Sequence, residues 1–141
     1  ERAYWHAITG ENRPSCAGGL WLTSRDMAKY GELYLRGGKW KGRQVLPASW
    51  VEASTQSQID TGVEGGFGYL WWRPPVGGLD LYLASGTGGQ YVVCIPTFDA
   101  VVVTTAQFNT NKKDVVNELL IKYVVPALAA AMSASVPHIT S

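Results

Sequence analysis

Two apolar runs with extended-chain alternation, joined by a step too rich in glycine for a helix, constrain the fold of this chain more than any other feature. Leu79-Asp80-Leu81-Tyr82-Leu83 leads into Ala84-Ser85-Gly86-Thr87-Gly88-Gly89-Gln90-Tyr91, and Val92-Val93-Cys94-Ile95-Pro96 follows. Side chains alternate across a strand, so Leu79, Leu81 and Leu83 share one face. Gly86, Gly88 and Gly89 weaken a strand unless the backbone must bend or approach another group closely. The simplest reading is a β-hairpin, and a glycine-rich corner alone carries no chemistry.

The rest of the chain surrounds that hairpin with helices and further strands. Thr23 or Ser24 can cap a helix, with Asp26 in its first turn where a negative charge is favoured. Met27, Tyr30, Leu33 and Tyr34 form an apolar stripe at helical spacing, and Gly37-Gly38 supplies the stop. Gly31 inside that helix costs about 1 kcal/mol against alanine, which predicts close contact with a neighbouring element. Lys39 to Val45 reads as a small hairpin about Gly42, and Leu46-Pro47-Ala48-Ser49-Trp50-Val51 as a second helix with Pro47 in its first turn. Gln56 to Gly66 reads as a surface loop.

Phe67 to Arg73 then reads as one strand stopped by Pro74-Pro75, with Phe67, Tyr69 and Trp71 on one face and Leu70 and Trp72 on the other. Ala100 to Ala106 is a further buried strand. Asn109 or Asn111 can cap a closing helix in which Val115, Val116, Leu119, Leu120 and Tyr123 recur at helical spacing, and Pro126 should end or kink it. The small polar tail from Ser133 should fray. The sum is an α+β fold, an antiparallel sheet of about four strands flanked by helices.

Composition narrows the function classes. With 141 residues and 46% hydrophobic content, the chain can bury one substantial core. A formal charge of +1 with scattered Lys and Arg gives no field for nucleic acid, so a small neutral ligand is the expected partner. No apolar run approaches the ~20 residues of a membrane helix, so no membrane span is expected. Cys16 and Cys94 are too few for a disulfide framework, and Cys94, inside an apolar strand, is expected to be a buried thiol. His6 and His138 lack any paired-ligand spacing, so neither a metal nor another cofactor is expected. The chain opens Glu1-Arg2-Ala3 without Met, which leads us to expect polypeptide upstream.

The order of motifs carries more information than any one of them. Ala17-Gly18-Gly19-Leu20-Trp21-Leu22-Thr23-Ser24-Arg25-Asp26-Met27-Ala28-Lys29-Tyr30 comes first, then Gly37-Gly38-Lys39-Trp40-Lys41-Gly42-Arg43-Gln44-Val45-Leu46-Pro47. Gly68-Tyr69-Leu70-Trp71-Trp72, the hairpin and Asp99-Ala100-Val101-Val102-Val103 follow. In this order the chain resembles the later half of the serine β-lactamase and penicillin-binding-protein superfamily, most closely its class C-like esterases and amide hydrolases. The resemblance covers nearly the whole chain, which would then be the C-terminal portion of such a hydrolase domain. It implies a periplasmic or secreted location.

In that family a serine in an S-x-x-K box attacks an acyl carbon, with a tyrosine box assisting and a third box, K-T-G or a variant, on the adjacent strand. The serine must lose its proton to a base, and the oxyanion that forms needs preorganised N–H donors. No serine here has lysine three residues on, so the nucleophile is expected from a missing N-terminal part and this chain alone should be inactive. The resemblance places Ala84-Ser85-Gly86 on the third box and makes the Thr87 N–H an oxyanion-hole donor. The competing register places Thr87-Gly88-Gly89 there and passes the donor role to Gln90. Ser85, Gly86 and Thr87 are the catalytic candidates, and Gln90, Tyr91 and Trp72 the substrate-binding candidates.

Ala84 replaces the lysine that would hold a carboxylate, which points to neutral esters or amides. Ser85 either orients a substrate carbonyl or bonds a neighbouring strand. The alternative is a non-catalytic relative, an aromatic-lined binding domain using Trp71, Trp72 and Tyr91. If part of the domain is missing, an apolar patch should be exposed, covered by that part or by a second copy in a homo-oligomer.

Overall fold

The computed structural model describes residues 3–7, 13–15, 18–62, 65–107 and 113–135. Near the start of the chain, β1 (Tyr4–Trp5) pairs with β2 (Leu20–Trp21). The centre of the fold is a six-stranded antiparallel meander in which the order across the sheet is the reverse of the order along the chain. The hairpin expected from the sequence is β8 (Tyr82–Gly86) and β9 (Gln90–Ile95), in register from Tyr82 opposite Cys94 to Gly86 opposite Gln90. β10 (Ala100–Thr104) pairs with β9 and forms one edge of the sheet.

Alternation along these strands divides the core in two. Leu81, Leu83, Tyr91, Val93 and Ile95 pack on one side with Val116 and Leu120 of the closing helix, and Leu79 joins them. Tyr82, Val92 and Cys94 face the other side, against Tyr34, Val51 and Trp71. Helices therefore cover both faces of an antiparallel sheet, the expected α+β architecture.

Helix α1 (Ser24–Leu35) starts as the sequence indicates. Thr23 is its N-cap, accepting a hydrogen bond from the Asp26 backbone N–H at 3.2 Å. Gly31 sits where α1 crosses the sheet, and a Cβ placed there would lie 2.6 Å from Cγ1 of Val101 and 2.9 Å from Cγ1 of Val92. The close approach predicted for this glycine is present. Past the helix, Gly37 and Gly38 take φ of 61° and 82°, and the Gly38 N–H returns to the Leu33 carbonyl at 2.8 Å. β3 (Lys39–Trp40) and β4 (Arg43–Gln44) form the small hairpin about Gly42. In α2 (Ala48–Thr55), Pro47 is the N-cap, one position earlier than the sequence suggested.

The structure corrects the reading of residues 56–73. The supposed loop contains β5 (Ile59–Asp60) and the start of β6 (Gly66–Phe67), each too short for alternation to register. The aromatic run is no single strand: it reverses between β6 and β7 (Trp72–Arg73). The Gly68 N–H bonds the Trp71 carbonyl at 2.7 Å, and Leu70 adopts a left-handed φ of 70°. Phe67, Tyr69 and Trp71 consequently do not share a face. Tyr69 and Leu70 are exposed, while Trp71, 1% exposed, stacks on Tyr30 with ring centroids 5.7 Å apart.

The closing helix also departs from expectation. α3 (Lys113–Leu119) passes through a π-helical turn (Leu120–Val124) into α4 (Val125–Ser135), so Pro126 does not end it. Proline removes an N–H and crowds the carbonyl four residues back; the wider turn, with the Val125 N–H bonded to the Leu120 carbonyl, opens the helix just before that crowding arises. Only Val116 and Leu120 of the predicted stripe are buried; Val115, Leu119 and Tyr123 are exposed. The stretch Val115–Ala134, with mean hydropathy 1.6, is long and apolar enough to cross a membrane by length and composition. The sequence reading did not anticipate that, because Asn117, Glu118 and Lys122 interrupt the run. Cys16, Asn109, Asn111, His138 and the end of the polar tail lie outside the described residues.

Candidate active site

β8 leaves the core as it runs. Tyr82 and Leu83 are buried, Ala84 is half-buried, and Ser85 and Gly86 are exposed. The turn Thr87–Gly89 follows, with Gly88 and Gly89 at φ 83° and 98°, a region that favours glycine. Thr87 therefore stands where the strand has emerged into solvent. No backbone hydrogen bond from its N–H is present among the described residues. Gln90 already belongs to β9 and lies opposite Gly86.

Two side chains tie this turn to the end of β10. The Thr104 hydroxyl donates to the Gly89 carbonyl at 2.9 Å, and the Gln90 amide Nε2 donates to the Ala106 carbonyl. Neither tie was anticipated from the sequence. Contacts between residues 15 and 16 positions apart depend on the register of β9 with β10, which no local pattern encodes.

Four of the six candidate residues, Ser85, Gly86, Thr87 and Gln90, are thus brought together at one end of the sheet. Trp72 is on the adjacent strand, paired with Leu83, half-buried and tilted against Phe67 with ring centroids 4.5 Å apart. Tyr91 is opposite Ser85 but only 8% exposed, packed in the cluster with Leu83, Val93 and Ile95.

The perturbed titratable groups belong to α1 and to the strands Tyr82–Gly86 and Gln90–Ile95, none of them in this turn; at the surface, its bond with Lys29 holds the Asp26 carboxyl below its ordinary value. Burial pushes the Cys94 thiol up to about 12, and its Sγ lies 3.5 Å from the Gly31 carbonyl, a weak hydrogen bond. A thiol held protonated in this way is no nucleophile. The Tyr82 phenol is likewise held above its ordinary value, first by burial and then by Cys94 beside it, so it is not available as a tyrosinate base. Tyr30 is raised by burial and by its bond with Tyr34. Among the described residues, no group of three or more His, Cys, Asp or Glu could hold a metal ion.

Comparison with known proteins bears on this geometry directly. The family model described as Beta-lactamase matches residues 1–125. The chain belongs to the beta-lactamase family. A solved structure from Bacillus anthracis that carries the name of a 6-aminohexanoate-dimer hydrolase aligns with this family member at a TM-score of 0.64 and 26% identity, over 79% of the chain. The chain spans 30% of that structure's length. A comparison with the curated proteins finds no match. Membership accounts for the antiparallel sheet and its helices.

Proposed function

We propose that this chain is the C-terminal portion of a serine hydrolase that cleaves neutral ester or amide bonds through an acyl-enzyme. It contributes the third-box strand β8 and, at its end, the Thr87 N–H as one oxyanion-hole donor. The nucleophile and its base come from polypeptide outside these residues. The observation that carries the reading is the emergence of β8 from the core at Ser85-Gly86, which leaves the Thr87 N–H without a backbone partner among the described residues. Such an amide is preorganised: it needs no broken bond before it stabilises a developing negative charge. The same placement favours the register that assigns the donor role to Thr87, since Gln90 is already paired in the hairpin.

Ala84 is half-buried and offers no charge for a substrate carboxylate, which supports neutral substrates. The 6-aminohexanoate-dimer hydrolase name of the aligned structure is consistent with amide cleavage. The exposure of Ser85 beside Gly86 supports a contact of its hydroxyl with a substrate carbonyl; Gln90 pairs opposite Gly86 and Trp72 opposite Leu83, and the burial of Tyr91 favours a packing role there. The apolar positions Val115, Leu119, Ile121 and Tyr123 are exposed, and among the described residues β10 is an edge strand, both of which support the packing of further polypeptide.

The test is acylation by a fluorophosphonate. A longer polypeptide carrying the S-x-x-K box should be labelled at that serine, and the 141-residue chain alone should not. In the longer form, Thr87→Pro removes the N–H and should slow labelling about 100- to 1000-fold, whereas Thr87→Ala keeps it and should not. Labelling of any serine in this chain alone, or an unaffected rate in Thr87→Pro, would refute the assignment.

A further inference from the structure

The ladder between β8 and β9 ends at Gly86 opposite Gln90, and beyond that pair the turn has two consecutive glycines at positive φ. Glycine visits such conformations and their mirror images with little preference, so the turn's own sequence does not fix the direction of its peptide planes. Side chains on strand ends bond to it and beside it. Thr104, the last residue of β10, holds the Gly89 carbonyl at 2.9 Å. Gln90 reaches in the opposite direction, from β9 to the Ala106 carbonyl just past β10. The segment they grip is itself tied to the start of α1, where the Ser24 and Thr105 hydroxyl oxygens are 3.4 Å apart.

We propose that Thr104 and Gln90 are positioning residues that fix the turn after β8 and so set the direction of the Thr87 N–H. The inference rests on the reading of that amide as an oxyanion donor. Both bonds are only part-buried, so neither contributes much to global stability. Their effect is local. Between turn conformers of similar energy, a single hydrogen bond shifts the population about tenfold.

The experiment is ¹H–¹⁵N NMR on the 141-residue chain and on Thr104→Val, Thr104→Ser and Gln90→Ala. Thr104→Val keeps the shape of the side chain and loses the hydroxyl; Thr104→Ser keeps the hydroxyl. In Thr104→Val the Thr87 amide should shift and broaden while the amides of residues 92–95 keep their protection, and Thr104→Ser should restore the native signal. Should Gln90→Ala fail to fold, the Thr104 pair alone decides. An unchanged Thr87 amide in Thr104→Val overturns the proposal, as does a loss restricted to global stability.

Activity separates this from the reading beneath it. In the longer hydrolase, Thr104→Val should lower kcat about tenfold with KM within about twofold, and Thr104→Ser should recover it. If the amide moves in the spectrum while acylation is untouched, the positioning role stands and the oxyanion assignment of Thr87 falls.

Discussion

Replacing Gly31 by alanine sets two known effects against each other at one position, and the structure decides the sign. In an isolated helix the change would stabilise by about 1 kcal/mol, because glycine has the greater backbone freedom to lose. Here the new Cβ would stand 2.6 Å from Cγ1 and 3.3 Å from Cγ2 of Val101, and 2.9 Å from Cγ1 of Val92. Carbon atoms rest comfortably at about 3.5 to 4.0 Å, so helix and sheet must separate by about 1 Å. Valine is stiff at χ1 and cannot swing aside, and both valines are held in strands. Overpacking of this kind costs about 1–3 kcal/mol. The net expectation is a loss of about 1 kcal/mol, read as a lower urea midpoint with unchanged m and a Tm lower by about 3 °C.

Trp71, buried against Tyr30 and Tyr34 of the same helix, makes tryptophan fluorescence a suitable probe. The sharper arm is a double-mutant cycle. Val101→Ala removes the nearest methyl group, at 2.6 Å, and a second at 3.3 Å, leaving only that of Val92 at 2.9 Å, so the pair Gly31→Ala and Val101→Ala should be less destabilised than the sum of the singles by about 1 kcal/mol. A Gly31→Ala variant more stable than the wild type, or additivity within about 0.3 kcal/mol, would show that the helix does not press on the sheet at this point.

Two further outcomes follow from local strain and burial. Leu70 sits at φ 70° and is 69% exposed, so it bears the cost of a left-handed conformation, about 1–2 kcal/mol, with little burial in return. Leu70→Asn, which tolerates that region, should stabilise by about 0.5–1 kcal/mol in urea titration, and an unchanged or lower midpoint would count against the reversal between β6 and β7. The fold raises the Cys94 thiol from 9.0 to about 12 through burial, so it favours the protonated form. That contribution is complete below about pH 9 and is lost as pH climbs toward 12, with the raised Tyr30 and Tyr82 phenols acting in the same direction. Unfolding free energy should therefore fall across that window. Iodoacetamide at pH 8 with peptide mapping should leave Cys94 unmodified until urea is added, and modification of the native chain at the rate of a free peptide thiol would contradict the burial.

Features encoded within a few residues were readable from the chain itself. The Thr23 cap, the Gly37-Gly38 stop, the hairpin about Gly42 and the alternation of β8 and β9 each have a local cause: a side-chain acceptor, a positive φ or a two-residue period. The presence of Gly31 where alanine would be preferred even pointed to a close approach, and the ordered motifs pointed to the family that the comparisons show. The run from Phe67 to Arg73 failed because strands of two residues leave no period to count, and because an aromatic residue suits a strand face and a turn equally well. Of the two outcomes expected at Pro126, an end or a kink, the helix does not end there, because the residues before it make a π turn.

At the candidate site the division is the same. Sequence alone located the glycine-rich step and the absence of a lysine three residues beyond any serine. Only the folded chain shows Ser85 and Gly86 emerging from the core, Tyr91 turned into it, and Thr104 and Gln90 bonded across the register of β9 and β10. Strand alternation assigns each side chain to a face, but which strand end lies beside which turn depends on pairing between residues far apart in the chain, and that is settled only when the sheet is assembled.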